Sequence, residues 1–378
     1  MIAEFSLDHN TVDNGILSTV LTDFWECFSV PQYRAILRLR RRRAIMDWDE
    51  FDDDPASIPL PRADRRHLIR AEDWRKAEGP CAGSLARAAQ ALGQLDGVMQ
   101  MVGSRALAAA MHRRLALIEA GSMLWAQGCP ISPDDLGRDQ MSAGADIDLT
   151  GLQLGRWAVR RLEGQGEPDD LRGFLALHQV GRSGLAGLSG QRLTGEDFDA
   201  AAAEFQQQWS SLQEVHPITR AIYGRALWRL SDLSPETDLV ESAVWAARRM
   251  ALSSSALMFA PMGSSGRRCW NGGSDPVAQL RAWCDAVAEG ATEARRLIIR
   301  LLDWRDRAGR TLATVKGDNA EKITAALTAA PQALAADLAL RAGCSRDTVE
   351  RMLARLHGAG LVREITGAQR YRIWSAVA

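Results

Sequence analysis

The sequence predicts a mainly α chain: a helical bundle, then a long connecting helix, then a C-terminal winged helix-turn-helix. Three observations predict it. Apolar residues recur at three- and four-residue spacing over most of the chain. No long segment alternates with period two. The last sixty residues read helix, helix, turn, helix and hairpin. With 378 residues, 46% apolar and 25% charged, the chain can build more than one core. The divisions expected are a charge-polarised extension over 1–55, a helical domain over 56–275, a connecting helix over 276–316 and the terminal module over 317–378.

The formal net charge of -1 gives no broad cationic field, so any contact with a polyanion must come from a local patch. The six cysteines contain no C-x-x-C pair and no neighbouring histidine at metal-ligand spacing, which favours reduced, inert thiols and no metal. No apolar run reaches the roughly 18 residues of a membrane span, and no leader pattern opens the chain. A cytoplasmic location without a membrane partner is expected. Twelve tryptophans, among them Trp74, Trp125, Trp157, Trp209, Trp228 and Trp245, are dispersed as helix-packing anchors would be.

The extension carries Phe24 and Trp25, then the basic run from Arg38 to Arg43, then acids from Asp47 to Asp54. It reads as a self-neutralising tail or as an arm on DNA phosphate, and Met46 is an alternative start of translation. From Ser84 the helical pattern begins, with Leu85, Ala88, Leu92 and Leu95, then Leu107, Met111, Leu115, Ile118 and Met123 as a second helix. Further stripes run from Leu152 to Leu162, Leu171 to Leu177, Phe198 to Leu212, Ile218 to Leu230 and Leu239 to Leu252. The glycine- and serine-rich stretch from Met262 to Asp275 reads as a flexible loop. Asp275-Pro276 then starts a long amphipathic helix, with Leu280, Trp283, Val287, Ala291, Ala294, Ile298, Leu301 and Leu302 inward. Arg295, Arg296, Arg300, Arg305, Arg307 and Arg310 form a solvated face beside Glu293, Asp303 and Asp306.

In the terminal module a helix over Asn319 to Ala329 stops before Pro331. Leu334, Leu338 and Leu340 mark a second helix, Gly343 supplies the turn, and Ser345 caps a third whose inward residues are Val349, Met352, Leu353 and Leu356. Leu361 to Thr366 and Arg370 to Trp374 are strand-like, around a turn at Thr366-Gly-Ala-Gln369. This order makes the third helix the one expected to enter the major groove of double-stranded DNA. The candidate DNA-binding residues are Ser345, Arg346, Thr348, Arg351 and Arg355 on that helix, with Arg370 and Arg372 on the wing. From Pro331 onward seven arginines face four acids, a modest positive balance. A protein-contact role for the module is the alternative reading.

The ending Leu361-Val-Arg-Glu-Ile-Thr-Gly-Ala-Gln-Arg-Tyr-Arg-Ile-Trp374 resembles the close of a bacterial family, often plasmid-borne, that joins a Fic-like helical domain to a helix-turn-helix. Ala91-Leu-Gly-Gln-Leu-Asp-Gly97, the segment Arg113 to Asp139 with Glu119-Ala120 and Leu124-Trp125, and the helix from Ala282 to Ala313 carry the same likeness, over about residues 80 to 375. The resemblance implies a DNA-binding regulator, transcriptional or in plasmid maintenance, whose helical domain senses or dimerises. Catalytic Fic proteins transfer adenylyl groups with His-Pro-Phe-x-Asp/Asn-Gly-Asn-Gly-Arg, in which the histidine is the base and the acid holds magnesium. The nearest match here is His216-Pro217-Ile-Thr-Arg220-Ala221-Ile222-Tyr-Gly224-Arg225. His216, Pro217, Gly224 and Arg225 are degenerate motif positions, because Arg220 replaces the acid and Ala221 and Ile222 replace the amide-exposing pair. No catalytic residue, metal or cofactor is therefore expected, and His216-Pro217 reads as a helix start. A divergent nucleotidyl-transferring or nucleotide-binding enzyme, and an antitoxin-like scaffold, are the alternatives.

Gly263-Ser-Ser-Gly266 before Arg267-Arg268, Gly181-Arg-Ser-Gly184, Gly187-Leu-Ser-Gly190 and Asp146-Ile-Asp148 lack the partners that would make phosphate or metal sites of them. A homodimer reading paired half-sites is expected. The small-molecule effector is unknown from sequence.

Overall fold

The computed structural model describes residues 69–137, 148–177, 192–271, 275–315, 317–366 and 372–378. The extension over 1–55, Met46, the two glycine-serine stretches between 181 and 190, Asp146 and Arg370 lie outside the described residues. The chain is mainly α. The bundle comprises α1 (Ala71–Gln100), α2 (Arg105–Ala126), α3 (Pro133–Gly137), α4 (Leu149–Leu162), α5 (Leu171–Leu175), α6 (Gly195–Ser210), α7 (Pro217–Leu230) and α8 (Val240–Met250). A 3-10 helical segment (Gly263–Asn271) leads to α9 (Pro276–Leu312). The terminal part holds α10 (Asn319–Ala329), β1 (Ala333–Leu334), α11 (Ala335–Ala342), α12 (Arg346–Gly358), β2 (Val362–Glu364) and β3 (Ile373–Ala376). No helix among the described residues is long and apolar enough to cross a membrane.

The helix α1 begins thirteen residues earlier than the stripe from Ser84 implies, and it continues through Pro80. Proline forfeits one i→i−4 bond there. Trp74, Ala77 and Cys81 extend the buried stripe across the proline, and that burial carries the first turns despite their charged outer residues. The helices α1 and α9 run in the same direction, since the Cys81 thiol meets the Val277 carbonyl at 3.4 Å and Arg87 meets Asp285 at 3.1 Å. Asp275 caps α9 by accepting the Ala278 N–H at 2.7 Å, and Pro276 occupies the first helical position. On the arginine face of α9, Arg296, Arg300, Arg307 and Arg310 are exposed, with Arg296 paired to Glu293, whereas Arg295 and Arg305 are half-buried.

The helix α2 is buried nearly all round, as Leu107, Met111, Leu115, Ala116, Leu117, Ala120, Met123 and Leu124 show. It is therefore the central helix, touched by α4, the 3-10 segment and α10. Phe205, Trp228, Trp209 and Trp245 pack largely edge-to-face, with centroids 5.3 to 5.7 Å apart, and join α6, α7 and α8. Trp125 departs from the anchor reading: it is 49% exposed, with the Arg267 guanidinium 4.7 Å from its ring.

The stretch from Met262 is not a flexible loop. Met262 and Trp270 are fully buried, and the Met262 and Gly263 N–H groups donate to one oxygen of Glu119 at 2.9 and 2.7 Å. Ser122 donates to the Gly263 carbonyl at 2.5 Å. Glycines and serines here let the backbone lie flat on α2 and α9, where composition suggested only freedom.

A second buried cluster gathers around Trp304, Leu312, Ile323, Leu327, Leu338, Leu353, Leu356 and Trp374. It begins inside α9, and the Trp304 indole N–H donates to the Leu361 carbonyl at 2.6 Å. The strands form an antiparallel sheet in the order β1-β3-β2, with Leu334 opposite Ile373 and Glu364 opposite Trp374. Leu334 is thus a strand residue that precedes its helix, and Leu340 is 81% exposed on α11, not inward. The strand β1 escapes a period-two search because it is two residues long.

Candidate functional site

On α12, Val349, Met352, Leu353 and Leu356 are buried, which turns Arg346, Arg351 and Arg355 outward. Gly343 sits at φ 61° and closes α11 so that α12 can leave at an angle. The Ser345 hydroxyl caps α12, accepting the Thr348 N–H at 3.3 Å and lying 2.9 Å from the Thr348 hydroxyl. Arg351 donates to the Asp347 carbonyl at 3.3 Å and to the Thr348 hydroxyl at 3.4 Å. Arg346 is held by Glu350 at 2.7 Å, with both side chains about half exposed or more. An exposed i,i+4 pair of this kind contributes only ~0.3–0.5 kcal/mol, so it holds Arg346 weakly.

Ser345, Arg346, Thr348, Arg351 and Arg355 therefore share one helix, and the hydroxyls occupy its first turn. Arg372 is exposed at the start of β3, whereas Arg370 lies outside the described residues. Arg341 does not join the α12 face: it donates to the Gly137 carbonyl at the end of α3, at 2.7 Å, and ties α11 to the bundle.

The His216 segment is built as a helix start. The His216 Nδ1 accepts the Ile218 N–H at 3.2 Å, and Pro217 takes the first position of α7. The Glu78 carboxylate on α1 accepts the His216 backbone N–H at 2.8 Å and the Thr219 hydroxyl at 2.6 Å. Burial lowers the His216 pKa, with Glu78 opposing, which keeps Nδ1 an acceptor near neutral pH. His216→Ala is expected to cost about 1 kcal/mol in denaturant unfolding, and His216→Asn to recover most of it. Equal stability of His216→Ala and the wild type would remove the capping role.

Gly224 is a packing position, because a Cβ there would lie 2.5 Å from the Trp245 ring and 2.7 Å from Trp209. Arg225 is buried between Trp270 and Trp283, its Cζ 5.7 Å from each ring, and donates to the Trp270 carbonyl. Burial first, then Arg229, pull its pKa down to about 9. Ala221 and Ile222 are buried as well. The four motif positions are thus brought together in one helix, but Gly224 and Arg225 face protein rather than open space.

No protein-family model matches the chain, and no curated protein matches it. Among solved structures, the chain is similar to a crystal structure of a Fic family protein from Desulfovibrio desulfuricans G20. The identity is 11% and the TM-score 0.45, over 78% of this chain and 96% of the other.

Proposed function

We propose that the chain is a DNA-binding regulator, transcriptional or in plasmid maintenance. Its terminal part acts as a winged helix-turn-helix, and its helical domain senses an effector or holds a homodimer. The observation that carries the reading is the outer face of α12. Arg346, Arg351 and Arg355 stand with Ser345 and Thr348 on a helix whose opposite side is locked into a core, and a helix of that width fits the major groove. Hydroxyls at the helix start suit phosphate oxygens, and guanidiniums suit phosphate or guanine edges. Arg372 adds a phosphate contact from the hairpin, and Arg370 is assigned the same role from sequence.

The helical domain is read as non-catalytic. His216 Nδ1 is spent on the Ile218 amide, Arg220 stands in place of a metal-binding acid, and Arg225 is committed to a tryptophan carbonyl. Incorporation of label from ATP and magnesium that disappears in His216→Ala would overturn that part.

The test is binding of the full chain to its own upstream duplex against a scrambled one, with wild type and an Arg346→Ala/Arg351→Ala double variant. Wild type should prefer its own duplex by at least about tenfold, and the double variant should lose that preference and lower the salt slope by about 2. Equal, weak binding of both duplexes by both proteins would make the terminal part a protein-contact module.

A further inference from the structure

A cavity of about 240 Å³ opens where the end of α6, the start of α7 and the residues after α8 meet. Trp209, Val215, Pro217 and Ala221 give it an apolar wall, and the exposed Leu252 and Ser253 stand among its lining residues. Its charged groups are Arg220 and Arg249. Both guanidiniums lie against the Trp209 ring, with Cζ 3.7 and 4.5 Å from the centroid. Arg249 is 5% exposed, and its two Nη atoms clasp Asp169, whose side chain is 74% exposed; its Nε is buried without a partner. The Arg220 Nε is likewise buried without a partner, and its guanidinium makes no hydrogen bond or ion pair with the described residues.

Two cations thus share one ring, and a single carboxylate, bonded to Arg249, stands beside them. Burial, then Arg249, lower the Arg220 pKa, with Asp169 opposing. A guanidinium stays protonated at that depth, so the remaining charge calls for oxygen acceptors.

We propose that this cavity binds a small organic anion, a carboxylate or phosphate monoester with a compact apolar body. Its oxygens sit on the Arg220 guanidinium, and its body lies over Trp209, Val215 and Pro217. The volume lies at the lower edge of the range that holds small-molecule ligands, which suits a compact anion. Binding depends on these residues alone. Its role as the effector rests on the regulator reading above.

The experiment is calorimetric titration of the full chain with benzoate, phenyl phosphate and the neutral benzyl alcohol. At least one anion should bind one to one, benzyl alcohol should not, and Arg220→Met should weaken binding by about ten- to a hundredfold. Ser253→Phe supplies a second variant, because it narrows the site from an exposed position without touching the core. Failure of both anions to bind folded wild type overturns the site, as does unchanged binding by both variants. The bound anion is then added to the DNA titration. A change in DNA affinity supports the effector role, and none removes that role while leaving the cavity. Anion binding by a chain that ignores DNA would count against the regulator reading alone.

Discussion

Gly290→Ala is expected to destabilise the protein by at least about 3 kcal/mol, although it adds one methyl group to a helix. The ideal Cβ at this position lies 2.4 Å from the Met262 Cα, 2.6 Å from the Met262 carbonyl carbon and 2.6 Å from the Pro261 oxygen. All three are backbone atoms, so no side-chain rotation relieves the overlap. The segment is also pinned from its other side, because Met262 and Gly263 donate to Glu119, and Gly263 accepts from Ser122. Moving it by an ångström would break buried hydrogen bonds, each costing ~1–3 kcal/mol when an orphaned group stays dry. Gly309→Ala on the same helix is the control, since no heavy atom lies within 4 Å of its Cβ position. That change should stabilise by about 0.5–1 kcal/mol through helix propensity. Denaturant unfolding of both variants decides the matter. A Gly290→Ala protein as stable as Gly309→Ala would mean that α9 and the 3-10 segment do not meet as described.

The same contact shows why parts of the molecule were legible in sequence and parts were not. The helix α9 was readable because Leu280, Trp283, Val287, Ala291, Ala294, Ile298 and Leu301 repeat at helical spacing and are all buried. The caps at Asp275 and Ser345 were readable because their effect is local: a side-chain oxygen meets an N–H three residues on. The 3-10 segment was not readable. Its order is imposed by Glu119, more than 140 residues earlier, and by the burial of Trp270, and nothing in Gly263-Ser-Ser-Gly266 announces either. The first half of α1 was hidden for a related reason. Pro80 argues locally for a stop, and only the core that receives Trp74 and Cys81 overrules it.

Legibility of the candidate site divides along the same line. That Ser345, Arg346, Thr348 and Arg351 share the start of one helix follows from a capping residue and a helical repeat. That Arg346 is held by Glu350 follows from i,i+4 spacing. Arg341 was counted as part of a positive patch because sequence records its charge and not its direction, and it turns to the Gly137 carbonyl instead. Gly224 and Arg225 resembled phosphate-binding remnants, but Trp209, Trp245, Trp270 and Trp283 give them other work through contacts that spacing cannot show. The pairing of Arg220 with Arg249 over Trp209 likewise had no sequence signal, since it joins three separate helices.

Glu119 supplies a second large effect, and it depends on pH. The side chain is fully buried on α2, with one oxygen accepting two backbone N–H groups and the other without a partner. Burial pushes its pKa up to about 7, against the smaller downward pull of the Gly263 and Met262 amides. In the unfolded chain the group ionises near its ordinary value of about 4.5, so between that pH and 7 unfolding releases a proton. Stability contributed by the protonated carboxyl is therefore present at low pH and is lost as pH rises through this window. The loss is about 2–3 kcal/mol between pH 5 and pH 8. Other groups titrate in the same range: the His112 ring lies 2.8 Å from the Ala256 carbonyl, and burial lowers its pKa. The measurement is thus the difference between Glu119→Gln and wild type at each pH, which cancels the titrations the two proteins share. The glutamine keeps a carbonyl oxygen for the Met262 and Gly263 amides and carries no charge. Its stability relative to wild type should rise by about 2–3 kcal/mol from pH 5 to pH 8. A difference that stays flat across that range would show that Glu119 is ionised throughout, with water or a cation reaching the oxygen that has no protein partner.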